Sequence, residues 1–190
     1  MPLSLPIAPE ATKLLYENPL ALLIGMLLDQ QQPMEKAFSS PYVLQQRLGR
    51  DLDAHDIASR DPEELEAIFA KPPVLHRFPR AFAKRTQEMC QLLVDRYDGD
   101  AAKLWTEAKD GKDAVARVAQ LPGFGKQKSQ IFVALLGKQF GVELDGWREA
   151  AGEYGEEGSL RSVADITDET SLARVREYKK AMKAAAKAKG

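Results

Sequence analysis

The residues best suited to chemistry form a glycine-rich turn followed by two lysines: Leu121, Pro122, Gly123, Phe124, Gly125, Lys126 and Lys128. Proline ends the preceding helix, and glycines can take positive φ and leave the backbone accessible because they carry no side chain. The N–H groups at the start of the next helix then face outward, at the positive end of the helix dipole. We expect Phe124 to anchor the turn to the core. The pattern predicts a site that holds a phosphate without reading bases.

The plainer interpretation of this turn is a helical hairpin whose glycines only permit a tight bend. A Walker-type phosphate loop is excluded, because the sequence Gly-x4-Gly-Lys-Ser/Thr does not occur here. Leu-Pro-Gly-x-Gly-Lys between two helices is the more specific pattern, so we favour phosphate binding.

A second polar cluster follows the most apolar helix of the chain. Leu27 and Leu28 lead into Asp29 and three consecutive glutamines, which include Gln30 and Gln31. Glutamine is common at solvated helix ends, but three in a row after an apolar helix is unusual. The residue types alone leave open whether this cluster is a solvated helix end or a functional site.

The elements that must position these residues are helices. Asn18-Pro19 and Asp61-Pro62 combine a capping side chain with proline at the first helical position, which predicts helix starts. Asp168 predicts a third start, and the sequence has no alternating strand pattern and no internal repeat. Helices are predicted at residues 19–31, 34–38, 40–49, 78–97, 113–120, 125–140 and 169–187, with a short one around Leu104 and Trp105 and an irregular segment at 141–158.

Residues 121–128 resemble the hairpin of the helix-hairpin-helix (HhH-GPD) DNA glycosylases, the superfamily that includes endonuclease III and the adenine and alkyl-purine glycosylases. Residues 27–32 are similar to the Leu-Leu-x-x-Gln segment of those enzymes, where a glutamine reaches toward the lesion-bearing strand. That match implies a DNA contact for Gln31, with Gln30 next. Residues 97–105 also resemble the family's mid-domain linker. The resemblance covers residues 18–145 and is weakest between 33 and 75.

The resemblance implies an all-α, two-lobed glycosylase-like fold, which we expect as one domain over residues 1–190. Residues 18–112 are predicted to form a central helical lobe. Residues 113–145 would hold the helix-hairpin-helix motif and the catalytic loop. Residues 1–17 and 146–190 would form the second lobe, which includes a basic C-terminal helix.

The family places an aspartate at a characteristic distance after the second hairpin glycine, where it stabilises the cationic sugar as a base leaves. Counted from Gly125, that distance falls on Asp145, although the residues around it depart from the family pattern. Asp165 is the alternative if residues 141–161 are an insertion, and a chain without a competent aspartate also remains open. Trp147, beside a glycine in a polar loop, is the candidate for stacking on a flipped base.

The resemblance also implies which chemistry is missing. Bifunctional members carry a lysine two residues after the second hairpin glycine, and this chain has Gln127 there, so we expect no strong lyase activity. Cys90 is the single cysteine and cannot supply the four thiolates of an iron–sulfur cluster. The two histidines lie far apart, so no metal site is predicted. A monovalent cation at the hairpin carbonyls is the one ion that the family analogy admits.

Charge is divided into blocks although the net charge is only −1. Residues 114–142 carry bases and no acid, acids dominate from 143 to 169, and bases dominate from 170 onward. The terminal lysine run is typical of a solvated helix and also suits a phosphate backbone. No apolar run approaches the roughly 20 residues of a membrane helix, and no signal-peptide pattern is present. We therefore expect a cytoplasmic, nucleoid-associated monomer whose partner is double-stranded DNA.

Three functions remain after the sequence is read. The first is a monofunctional DNA glycosylase that hydrolyses the N-glycosidic bond of a damaged base. The second is a non-catalytic DNA-binding or damage-sensing protein on the same fold, which the acidic segment favours. The third is an interaction protein whose hairpin does not touch DNA. The sequence does not identify the lesion.

Overall fold

The computed structural model describes residues 3–190, and these residues form helices and loops without a β-strand. The prediction of an all-α protein is confirmed for this part of the chain. The described residues divide into two compact units. The N-terminal unit contains residues 7–108 and 119–125, and the C-terminal unit contains residues 3–6, 109–118 and 126–190. Residues 1 and 2 of the predicted second lobe lie outside the described part.

The N-terminal unit is built on a buried apolar helix. Its helices are α1 (Pro9–Glu17), α2 (Pro19–Leu28), α3 (Met34–Leu48), α4 (Ala54–Ser59), α5 (Pro62–Ala70), α6 (Pro79–Tyr97) and α7 (Lys103–Thr106). Every residue of α2 from Leu20 onward is buried, and α1, α3 and α6 pack against it. Helices α4 and α5 pack against the long helix α6. The Cys90 side chain of α6 is fully buried, and burial raises the pKa of its thiol.

Side-chain caps explain where two of these helices begin. The Asn18 side chain accepts hydrogen bonds from the N–H groups of Leu20 and Ala21. The Asp61 carboxylate accepts from Glu63 and Glu64 in the same way. In both cases proline follows the cap, where its missing N–H leaves no hydrogen bond unmade. The predicted starts of α2 and α5 are therefore confirmed.

The prediction of two short helices around Pro41 is wrong, because α3 runs through this proline without a break. Proline removes one backbone hydrogen bond from a helix interior. The hydroxyls of Ser39 and Ser40 donate to the carbonyl oxygens of Glu35 and Lys36, at 2.6 and 2.7 Å. They bind carbonyls one turn before the proline and do not replace the donor that the Ala37 carbonyl loses. The buried packing of α3 against α1 and α2 then holds the helix together.

The C-terminal unit is centred on one long helix. Its helices are α8 (Gly111–Ala119), α9 (Lys126–Gln139), α10 (Trp147–Ala150) and α11 (Glu169–Ala188), and 3-10 turns lie at Gly152–Gly155 and Val163–Asp165. Helix α10 and both 3-10 turns pack on α9. The expectation that residues 141–158 are irregular is therefore wrong in part. The buried Trp147 holds this segment against α9, and the contact allows short helices to form in a glycine-rich stretch.

A reciprocal cap begins the last helix. The Asp168 carboxylate accepts from the Ser171 N–H at 2.7 Å, and the Ser171 hydroxyl oxygen accepts from the Asp168 N–H at 3.0 Å. This capping box confirms the predicted start of α11.

Among residues 3–190 no single helix is long and apolar enough to cross a membrane. Helices α1 and α2 together have the length and apolar composition of a membrane-spanning segment, but they are bent by 115° to each other.

Candidate nucleic-acid interface

The glycine-rich turn at residues 121–125 is closed by a backbone hydrogen bond, in which the Phe124 N–H donates to the Leu121 carbonyl oxygen at 3.0 Å. The side chains of both residues are buried, with 2% of Leu121 and 3% of Phe124 exposed. Phe124 thus anchors the turn as expected. Gly123 and Gly125 remain at the surface.

Gly123 is required by two independent features. Its φ is +81°, in the region that favours glycine. A Cβ atom placed on it would lie 2.6 Å from the Cδ1 atom of Leu27 and 3.9 Å from the Cδ atom of Arg85. The turn therefore lies directly on α2 and α6. Gly125 differs, because its φ is not positive and a Cβ atom on it would meet open space.

The glutamine segment after α2 is a tight turn with an exposed centre. Gln31 has a φ of +59° and is exposed. No hydrogen bond from the other described residues reaches its side chain. Its neighbour Gln32 is tied down, because its amide donates to the carbonyl oxygens of Leu28 and Leu75 at 2.9 and 3.4 Å. The turn thus presents Gln31 outward from a backbone that is held in place.

Arg85 links this glutamine turn to the hairpin inside the N-terminal unit. Its Nη1 atom donates to the Oε1 atom of Gln30 at 3.2 Å, and its guanidinium lies 4.8 Å from the centre of the Phe82 ring. The stem of the same side chain lies beside Gly123. Two segments about ninety residues apart in the sequence are therefore brought to one place. Sequence reasoning missed Arg85, and only its helical spacing from Phe82 could have drawn attention to it.

His76 holds the glutamine turn from the other side. Its Nε2 atom lies 2.7 Å from the Gln30 carbonyl oxygen, and its Nδ1 atom accepts from the Phe78 N–H at 3.0 Å. The ring is fully buried and stacks on Phe82 with 3.6 Å between ring centres. Burial lowers the pKa of His76 and the hydrogen bond to Gln30 opposes this shift. Positive charges on three nearby side chains lower the pKa further: Lys36, Arg77 and Arg85.

The residues that follow the hairpin belong to the first turn of α9, in the C-terminal unit. Lys126 is exposed and Lys128 is partly exposed. Between them, the Gln127 amide donates to the Tyr154 hydroxyl at 2.8 Å. The position that carries the Schiff-base lysine in the bifunctional members of the resembling family is thus a glutamine engaged with a tyrosine.

The two candidate aspartates have different surroundings. Asp145 lies exposed in a turn, and its carbonyl oxygen accepts from the Gly111 N–H at 2.8 Å. Asp165 has a side chain only 3% exposed, which pairs with the Lys138 Nζ atom at 2.6 Å. It also accepts from the N–H groups of Arg161 and Ser162 at 2.9 and 3.2 Å. Asp165 therefore serves as a structural anchor of the C-terminal unit.

Trp147 is part of the packing of the C-terminal unit. Only 7% of the residue is exposed. A Cβ atom on Gly137 would lie 2.7 Å from three of its ring carbons, and the Arg148 guanidinium lies 4.4 Å from the ring centre. A base could stack on this ring only if the ring moved, so base stacking by Trp147 stays a prediction.

No protein-family model matches the sequence, and a search of curated proteins finds no significant match. The described residues define the class as an all-helical protein with a glycine hairpin seated on two helices. The hairpin and the glutamine turn both lie in the N-terminal unit.

Proposed function

We propose that the chain binds double-stranded DNA through the hairpin and the glutamine turn, and that it is a monofunctional DNA glycosylase. The observation that most supports DNA binding is the position of Arg85, whose stem lies beside the Gly123 turn and whose guanidinium donates to Gln30. A hairpin that served only as a bend would not need a second polar turn beside it, held by a buried histidine and joined to the hairpin through an arginine.

In the proposed binding mode, the hairpin holds the DNA backbone and the glutamine turn contacts the base stack. Main-chain amides of the hairpin other than the Phe124 N–H, which closes the turn, would hold a backbone phosphate together with Lys126 and Lys128 and set the register of the duplex. Gln31, presented from its left-handed turn, would enter the space left when a damaged nucleotide is rotated out of the stack. A glutamine can take this place because its amide both donates and accepts hydrogen bonds.

The proposed reaction is hydrolysis at the sugar C1′ atom. The departing base takes the electron pair of the N-glycosidic bond, and a water molecule forms the new C–O bond. The Asp145 carboxylate stabilises the cationic sugar and accepts the proton that the water loses. Without an amine two residues after the hairpin glycines, no Schiff base forms and the strand is not cut. The proposal requires no iron–sulfur cluster, and a monovalent cation at the hairpin carbonyls is compatible with it.

A second candidate is a DNA-binding or damage-sensing protein without catalysis. It is favoured by the exposed position of Asp145, because a carboxylate stabilises developing charge best where water is excluded. The buried position of Trp147 points the same way, since a flipped base would lack its stacking partner. Both candidates share the DNA-binding surface and differ only in whether the protein catalyses removal of the damaged base.

The experiment uses duplexes that each contain one lesion, incubated with the protein and then treated with alkali to cut abasic sites. Wild-type cleavage that is lost in Asp145→Asn and kept in Glu143→Gln, a change in an exposed neighbouring acid, supports the glycosylase. Duplex binding without any abasic product across a broad panel supports the sensor. Binding that is absent at low salt, or unchanged in a Lys126→Glu, Lys128→Glu variant, contradicts both.

A further inference from the structure

The last three turns of α11 are not explained by packing. The last buried residue of this helix is Val175, and every residue from Lys179 to Gly190 is exposed. Even Met182, the only large apolar side chain in this segment, is 52% exposed. The helical part of this segment, ten residues that end at Ala188, extends about 15 Å. We call this exposed segment the tail of α11.

Three lysines of the tail share one face. Lys180, Lys183 and Lys187 are spaced three and four residues apart, which places them within about 60° of one another around an α-helix. They extend over about 10 Å along the helix axis, close to the axial distance between the first and the fourth of successive phosphates on one DNA strand. The remaining positions between them are mostly alanine. We call these three residues the lysine stripe.

The charge of the stripe is not balanced within the described part of the chain. No carboxylate among residues 3–190 lies within ion-pair distance of the three lysines, and the only acid in α11 after its first turn is Glu177. Lysines in a last turn stabilise the helix dipole, but this effect fades beyond one turn. It can account for Lys187 and cannot account for Lys180 or Lys183.

We propose that the lysine stripe is a second, sequence-independent binding surface for the phosphate backbone of duplex nucleic acid. The alternative partner of a basic helix is an anionic membrane, which requires a face of large apolar side chains such as Leu, Phe or Trp. The face of the tail opposite the stripe is alanine with Met182. This composition favours the polyanion over the bilayer. The proposal depends on the proposed function only for the choice of DNA as the probe.

The test compares two triple variants with the same change in net charge. Lys180→Gln, Lys183→Gln, Lys187→Gln removes the stripe. Lys13→Gln, Lys71→Gln, Lys84→Gln removes three exposed lysines elsewhere. Binding to a fluorescent duplex of random sequence is measured by anisotropy between 50 and 200 mM salt. Each lost phosphate contact makes the slope of log K against log salt shallower by about 0.9. Between 50 and 200 mM salt, the factor by which duplex affinity falls should therefore be about 40 times smaller for the stripe variant than for wild type.

The stripe is supported if its variant shows the shallower slope, with helix content unchanged by circular dichroism, and the control keeps the wild-type slope. Equal slopes in all three proteins overturn it while leaving the hairpin interface intact. A wild-type protein that binds phosphatidylserine vesicles and no duplex also overturns it. If the lesion panel yields no abasic product and the stripe variant still has a shallow slope, the stripe stands and the glycosylase falls.

Discussion

The Nε2–H group of His76 donates to the main-chain carbonyl oxygen of Gln30 over 2.7 Å. A carbonyl can only accept, so the hydrogen must be on Nε2. On the opposite side of the ring, Nδ1 accepts from the Phe78 N–H, so Nδ1 must be unprotonated. The native contacts therefore require a neutral ring in one tautomer, and protonation would break the bond to Phe78. The hydrogen bonds that hold the glutamine turn therefore depend on the protonation state of His76.

The first prediction concerns pH. Burial lowers the pKa of His76 in the folded protein, while in the unfolded chain it returns to about 6.5. The unfolded state therefore binds more protons below that pH, and the free energy of unfolding should fall as pH falls from about 6.5 toward the lowered pKa. At pH values above about 6.5, the neutral His76 ring makes its full contribution to the free energy of unfolding. Urea unfolding at pH values from 5 to 8 measures it.

The matched variant is His76→Phe, which keeps a ring against Phe82 and cannot titrate. It should be less stable at pH 8 because two hydrogen bonds are lost, and its stability should change less between pH 6.5 and 5. If wild type and His76→Phe have the same pH dependence in this window, the neutral-ring interpretation is wrong.

The two hairpin glycines should respond differently to alanine. Gly123→Ala forces a Cβ atom against Leu27 at a positive φ, and strain of this kind costs on the order of 1–3 kcal/mol. Gly125→Ala introduces no comparable contact and should change the free energy of unfolding by no more than about 0.5 kcal/mol. Denaturant midpoints compare the two variants. A Gly123→Ala protein as stable as wild type would contradict the close packing of the turn on α2.

Arg85→Ala tests the link between the two turns. The variant loses the hydrogen bond to Gln30, so stability should fall by about 1 kcal/mol, and the glutamine turn should become more mobile. Amide exchange at residues 29–32 reports that mobility, and duplex affinity reports its effect on binding. Arg80→Ala, at an exposed arginine of the same helix, is the control and should change neither. Unaltered exchange in Arg85→Ala would mean that His76 and Gln32 hold the turn without Arg85.

The two aspartates can be separated by stability. Asp165→Asn removes the carboxylate from the largely buried Lys138 ammonium, which keeps only its bond to the Glu156 carbonyl oxygen, and breaking a buried ion pair costs about 3–5 kcal/mol. Asp145→Asn changes an exposed side chain and should alter the free energy of unfolding by less than about 0.5 kcal/mol. Thermal or urea unfolding gives both values. Equal, small effects would remove the structural role assigned to Asp165.

The local signals of the sequence predicted the boundaries of several helices, but α1, α4 and α10 were not predicted and α2 ends three residues before the predicted end. The predicted helix at residues 78–97 matches α6 to within one residue, and those at 113–120 and 125–140 match α8 and α9 to within two. The failures lie where contacts from outside the segment decide. Pro41 continues a helix that is held by its packing against α1 and α2. Trp147 brings order to a glycine-rich stretch because α9 is there to receive it.

The sequence by itself determined the caps and the glycine hairpin, because a cap is made between a side chain and backbone groups two or three residues away. It also placed the glutamines after a buried helix. Only the tertiary structure decided that Gln30 is held by His76 and Arg85, and that Gly123 rests on Leu27. These contacts join residues 46 and 55 positions apart, and the Gly123–Leu27 pair is more distant still. Contacts over such separations leave no periodicity in the sequence, since they depend on how whole helices pack.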